Sequence, residues 1–312
     1  MASLSHFVLF FLLGLDAALC STFTITNNCD YTVWPGLLSG AGTAPLQSTG
    51  FALAKGESQS LAVPAAWSGR LWGRTLCSTD AAGRFSCATG DCGSSSVQCS
   101  GSGAAPPATL AEFTLDGSGG MDFYDVSLVD GYNLPMLVAP APGSCASTGC
   151  VADLNPLCPS DLRVAEAGGS GRGVACRSAC EAFGTAEYCC SGDHGSPSTC
   201  RPSAYSQFFK NACPRAYSYA YDDATSTFTC AAGADYAITF CPSTTTSLKS
   251  GSSNNPQAAG LPLVNQSMVY SGDQLSSSAA AATAATPSAS MVAVAAVLAF
   301  VWSLLFLRQN DH

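Results

Sequence analysis

The sequence predicts an all-β domain: a sandwich core that carries a disulfide-rich, partly helical lobe and a small stapled loop. Three observations lead there. Sixteen of the seventeen cysteines lie between Cys29 and Cys241, and an even set behind a secretory leader is a disulfide framework rather than a scatter of thiols. Strand signals within that block are short, β-branched or aromatic, and punctuated by turn residues, as in a sandwich or barrel. Apolar runs stand at the two ends, which leaves one block between them long enough for a large domain.

The elements follow in chain order. Residues 1–20 read as a signal peptide: 7–15 are apolar, and Ala18 and Cys20 are small residues placed before Ser21. The run is too short to span a bilayer, so cleavage is expected and Cys20 leaves with the leader. The domain then occupies 21–241. Strands are expected at 22–26 and 31–34, separated by 27–30, and at 59–63 and 71–76. Residues 109–115 and 121–128 form a hairpin, because Asp116-Gly117 opens the connection between them. Residues 236–240 close the set.

Two stretches break the rhythm. Residues 77–99 hold four cysteines in a Gly/Ser-rich segment, the stapled loop. From 145 to 213 cysteines are dense and strand signals are absent. There the four-residue spacing of Cys176 and Cys180, with Ala179 and Phe183 on a neighbouring stripe, predicts a helix over 174–183, and 203–212 predicts a second.

Residues 242–290 are rich in Ser, Thr, Ala and Gly and cannot bury a core, so a flexible stalk is expected. Asn265-Gln266-Ser267 is an N-glycosylation sequon within it. The tail, 291–312, begins with an uncharged run to Leu307. Small residues upstream, with Ser278 as the candidate attachment site, make a glycosylphosphatidylinositol (GPI) signal the favoured reading. A single-pass helix stopped by Arg308 is the alternative. Either way the secretory pathway would leave the protein at the extracellular side of the plasma membrane, joined to it by a C-terminal anchor.

Charge and residue types exclude several functions. Residues 21–241 carry ten Lys/Arg against eighteen Asp/Glu, a formal charge of −8, which argues against nucleic acid. His194 stands alone in the block. One imidazole in a Gly/Ser loop makes neither a Ser-His-Asp triad nor a zinc site, and no Gly-rich phosphate loop follows a strand. No metal and no cofactor are expected.

Several separate motifs resemble the thaumatin-like (osmotin, pathogenesis-related) family. They are Gly83-Arg84-Phe85-Ser86-Cys87-Ala88-Thr89-Gly90-Asp91-Cys92, then Leu110-Ala111-Glu112-Phe113, Tyr188-Cys189-Cys190, and the unbroken run from Asp125 to Met136. The sequence departs from the pattern at Ser95, usually Gly or Gln, and at Arg215, where Asp usually follows the proline. The resemblance implies the pairs Cys29–Cys241, Cys77–Cys87, Cys92–Cys99, Cys145–Cys230, Cys150–Cys213, Cys158–Cys176, Cys180–Cys189 and Cys190–Cys200. It also implies an acidic cleft between sandwich and lobe made by Arg70, Glu112, Asp125, Asp130 and Asp222, with Asp223 beside Asp222 able to take the same place.

Three uses of that cleft compete. The favoured one is a defence-type protein, a monomer, that binds β-1,3-glucan or a related cell-wall polysaccharide. The second is a weak endo-β-1,3-glucanase with Glu112 as general acid and Asp125 or Asp130 as the second carboxylate. The third is an interaction module for a cell-surface protein, without carbohydrate binding.

Overall fold

The structure is a computed structural model and describes residues 20–243 apart from 142, 144, 167, 169 and 170. The leader up to residue 19, the stalk from 244 onwards with Asn265 and Ser278, and the tail lie outside the described residues. Among the described residues no helix is long and apolar enough to cross a membrane.

Alternation builds the first sheet. In β1 (Ser21–Asn27) Phe23 and Ile25 are fully buried, while Thr24 and Thr26 turn outward to the hydroxyls of Ser60 and Ser58 on β3 (Ser58–Val63). β8 (Met136–Ala141), β9 (Thr148–Cys150) and β13 (Asp235–Phe240) complete the order β3-β1-β13-β8-β9. Its pairing is antiparallel except between β1 and β13. The second sheet is antiparallel, in the order β12 (Phe228–Ala231), β7 (Met121–Ser127), β6 (Leu110–Thr114), β4 (Ser68–Thr79), β2 (Trp34–Ser39). Between the sheets Phe23 packs on Phe113 at 4.4 Å between ring centroids, and Tyr236 meets Phe23, Phe113 and Tyr124 at 5.2–5.7 Å, largely edge-on. Such offset and edge contacts add to the gain from burial itself.

The stapled loop lies on the outer face of the second sheet. β5 (Phe85–Thr89) pairs with the far end of β4. Trp72 and Leu110, which point outward from the sheet, are buried with Cys92, Cys99 and Ala108. Arg74 pins the loop from beneath: it is fully buried, and its guanidinium donates to the carbonyls of Trp34, Pro35 and Val97 at 2.6–3.1 Å. Burial lowers its pKa to about 10. Both departures from the family pattern have a local account. Ser95 adopts a left-handed backbone (φ 58°) and its carbonyl accepts from the Phe85 amide. Arg215 stacks over the Phe228 ring at 4.6 Å.

Three sequence expectations need correction. The strand expected at 31–34 runs instead over Trp34–Ser39, because the Asn27 side chain holds the Tyr31 carbonyl and keeps the chain turning up to Val33. The segment 145–213 is not free of strands: it contains β9 and the hairpin β10 (Arg163–Ala165) with β11 (Gly173–Cys176). The helix expected over 174–183 is therefore only α1 (Ala179–Phe183). Cys176 lies in β11, its amide and carbonyl both bonded to Tyr132, and the helix starts after the Ser178 cap. Three further helices follow: α2 (Ala186–Cys189), α3 (Ala204–Ala212, capped by Ser203) and the short α4 (Asp223–Ser226).

The disulfides join Cys29–Cys241, Cys77–Cys87, Cys92–Cys99, Cys145–Cys230, Cys150–Cys213, Cys158–Cys176, Cys180–Cys189 and Cys190–Cys200. Each pair is one that the resemblance implies.

Candidate functional site

Strand register lines up the first three acidic-cleft residues. Arg70 of β4 lies opposite Glu112 of β6, and Glu112 lies opposite Asp125 of β7. Their neighbours Leu71, Ala111 and Val126 face the core, so this row faces outward. It lines a depression of about 490 Å3 with Leu38, Ser39, Thr114 and Phe123.

The row is electrostatically uneven. The Arg70 Nε lies 3.6 Å from Glu112 Oε1, an ion pair too long for a hydrogen bond. Burial raises the Glu112 pKa; Arg70 opposes that shift and Asp130 adds to it. Asp125 is pushed further, up to about 8, by burial and by the charges of Glu112 and Asp223, with Arg70 opposing. Its Oδ2 is buried and has no hydrogen-bond partner. Burial and the neighbouring carboxylates thus favour the protonated form of Asp125, whose Oδ2 meets no hydrogen-bond partner, while Arg70 stands beside Glu112.

Asp130 sits just beyond β7 and acts on both Glu112 and Glu181. It lines a second depression, of about 380 Å3, on the lobe side.

Asp222 lies off this row. Its Oδ2 lies 2.8 Å from Lys210 Nζ and accepts from the amide and hydroxyl of Ser218, leaving the side chain 13% exposed. Asp223 has different partners. The Tyr217 hydroxyl donates to Asp223 Oδ1 at 2.8 Å, and Tyr217 runs beside β7 through a bridge to Ser127. That puts the Asp223 charge where it acts on Asp125. Asp222 thus ties α3 to Ser218, and Asp223 is the one of the two whose charge acts on Asp125.

His194 stands apart from all of this, half-buried in a short 3-10 turn with its Nδ1 3.2 Å from the Thr199 carbonyl. Among the described residues no group of three or more His, Cys, Asp or Glu could hold a metal ion.

A family model described as the thaumatin family matches residues 27–242, which takes in the lobe and every strand of the sandwich after β1. The chain belongs to the thaumatin family. Among its relatives, thaumatin-like protein 1 of Arabidopsis thaliana is 58% identical, over 74% of this chain and 89% of that protein. Pathogenesis-related thaumatin-like protein 3.5 of Cryptomeria japonica is 57% identical, over 78% and 98%. A glucan endo-1,3-beta-glucosidase of Prunus avium is 54% identical, over 74% and 94%.

Two residues of this thaumatin-family cleft escaped the sequence reading. Glu181 follows Ser178 by three, a spacing that reads as a capping box. The Glu181 amide does bond Ser178 Oγ, but its carboxylate lies 3.9 Å from Arg177 and within reach of Asp130. Burial, with the Asp130 charge and against Arg177, raises its pKa to about 7. Tyr217 gave no sequence signal: its role comes from lying alongside β7, which only the fold brings about.

Proposed function

We propose that this domain is a secreted, defence-type polysaccharide-binding module that takes β-1,3-glucan or a related wall polysaccharide in the acidic cleft. The observation that carries the reading is the Arg70–Glu112–Asp125 row itself: an outward-facing cation and two carboxyl groups side by side in one depression. Sugar hydroxyls both donate and accept. A carboxylate accepts, a guanidinium donates, and a neutral carboxyl does both. The orphaned Oδ2 of Asp125 is a buried acceptor that a bound hydroxyl would satisfy. The name of the 54% identical Prunus avium relative points to the same polymer. In the same reading the stalk and tail tether the domain, as a monomer, to the outer face of the plasma membrane through a GPI anchor.

The uneven row favours one alternative, an endo-β-1,3-glucanase. Glycoside hydrolysis needs one protonated and one ionised carboxyl group flanking the bond. Burial and its carboxylate neighbours favour the proton on Asp125, and Arg70 stands beside Glu112, so in this alternative the roles are the reverse of those expected from sequence.

One experiment separates the readings. The secreted protein is mixed with insoluble β-1,3-glucan, and pelleted protein and released reducing sugar are measured together. Retention without sugar release, lost in Glu112→Gln, supports binding. Release abolished by Asp125→Asn supports hydrolysis with Asp125 as acid. Failure to pellet with any wall glucan sinks both and leaves the cell-surface interaction module. Release from membranes by a GPI-cleaving phospholipase C, against release by detergent alone, decides the anchor.

A further inference from the structure

We propose that the Cys92–Cys99 disulfide is a redox site: a dithiol reductant opens it, and the reduced form is held by a Cys92 thiolate set against the buried Arg74 guanidinium. The site lies in the stapled loop and stands whether or not the cleft takes a polysaccharide.

Arg74 supplies the driving force. Its side chain is fully buried, yet its hydrogen bonds to oxygen all go to neutral carbonyls, those of Trp34, Pro35 and Val97. Among the described residues no carboxylate lies within ion-pair distance of it. Asp91 acts on it from further off, and the Asp91 oxygens accept from the amides of Cys87 and Gly93. The remaining contact is to sulfur: Arg74 Nη1 lies 3.4 Å from Cys92 Sγ, and Ser94 Oγ lies 3.5 Å from the same atom. A buried cation without a counter-charge is unfavourable, and a disulfide sulfur cannot neutralise it. A thiolate in the same place can. A cation beside a cysteine stabilises the thiolate, and stabilising the reduced form makes the disulfide easier to reduce.

Two features of the loop ease the opening. The bridge spans a sequence separation of 7, the shortest of the eight, so it constrains the unfolded chain least. Ser95 (φ 58°) and Ser100 (φ 51°) hold a left-handed backbone that residues with a Cβ avoid, a strain that a looser loop releases. Cys92 and Cys99 are themselves buried, whereas Gly93, Ser95, Ser96 and Gln98 are exposed, so the reductant enters by a local lifting of 93–98.

In the exchange, one thiolate of the dithiol bonds to Cys99 Sγ, and Cys92 Sγ leaves with the S–S electron pair as a thiolate beside Arg74. The second thiolate of the reductant then displaces Cys99, which takes up a proton. The dithiol becomes a disulfide and gives up two electrons and two protons; one proton is on Cys99 and the other in solvent. Opening loosens the cover over Trp72 and Leu110, which are buried with both cysteines and lie on the strands that carry Arg70 and Glu112.

The test equilibrates the secreted protein with graded ratios of reduced to oxidised dithiothreitol at pH 7, then traps free thiols by alkylation and maps them by mass spectrometry. Cys92–Cys99 is expected to open before the other seven bridges, with the ultraviolet band of a thiolate appearing alongside. Arg74→Met should require a reduced-to-oxidised ratio about tenfold higher, a shift of about 30 mV, while Arg74→Lys keeps the cation and shifts the midpoint less. Should Arg74→Met fold poorly, the order of opening and the thiolate band of the wild-type protein decide the matter without it. The proposal is refuted if another bridge opens first, if the reduced pair shows no thiolate band at pH 7, or if a folded Arg74→Met protein keeps the wild-type midpoint.

Discussion

Asp125→Asn replaces an acid whose proton is held by its surroundings with a neutral group of the same shape. The Asp125 pKa stands at about 8 in the folded protein against an ordinary value of 3.8. Between those values the folded chain holds one proton more than the unfolded chain, so stability falls as pH rises through the window. One proton corresponds to about 1.4 kcal/mol per pH unit. From pH 5 to pH 7 the wild type therefore loses at most about 3 kcal/mol through this group, or roughly 6–10 °C in Tm for a domain of this size. In Asp125→Asn that loss is absent. The two proteins should be nearly equal only below pH 4; the variant should lead by about 1.5 kcal/mol at pH 5, and that lead should widen up to pH 8. Denaturant unfolding of the secreted protein, disulfides intact, at pH 5, 6, 7 and 8 measures the difference directly. Parallel profiles for the two proteins would refute the reasoning, because they would mean that Asp125 titrates as an ordinary solvated carboxylate.

The same structure makes four further predictions. Arg74→Met strips donors from the buried carbonyls of Trp34, Pro35 and Val97; it should cost about 3 kcal/mol and show first as faster proteolysis within 77–99. Lys210→Met leaves Asp222 without its cation and should cost about 3 kcal/mol in urea unfolding, much of it regained when Asp222→Asn is added. Cys29→Ala with Cys241→Ala opens a crosslink between residues 212 apart; a loss of about 2–5 kcal/mol is expected, read as a lower Tm. Glucan binding should weaken between pH 5 and pH 8, as Asp125 and Glu181 lose protons beside Glu112, Asp130 and Asp223; a flat Kd across that range would count against hydrogen-bond donation by these acids.

How much was legible in the sequence depends on how local each cause is. β1 could be read from Thr-Phe-Thr-Ile-Thr because one face meets the core and the other meets only hydroxyls. β8 could not. Met-Leu-Val has no alternation when three successive positions are buried, and Pro140 looks like a breaker. It is tolerated because β9 pairs only as far as Val138, which leaves Pro140 on an open edge. The 174–183 helix failed for a related reason: the spacing of Cys176 and Cys180 fits a helix, but Tyr132 had already claimed the Cys176 backbone. In the site, the identities of Arg70, Glu112 and Asp125 came through family resemblance, since only strand register brings residues so far apart in sequence into one row. No local signal separates Asp222 from Asp223; their different partners, Lys210 on α3 and Tyr217 beside β7, come from the fold.

The cost of the acid row also bears on its purpose. Carboxylates opposite one another on neighbouring strands destabilise a sheet, and a packing role would be served better by residues that need no proton to be tolerated. The adjacent outward row, with Trp72 and Leu110, is apolar and covered by the stapled loop, so the same sheet face has a cheaper solution one step away. Eight disulfides supply stability in excess of what the apolar core contributes. That excess lets the cleft keep a strained set of charges in fixed positions. Departures from local stability rules that are offset elsewhere in the fold are characteristic of functional sites.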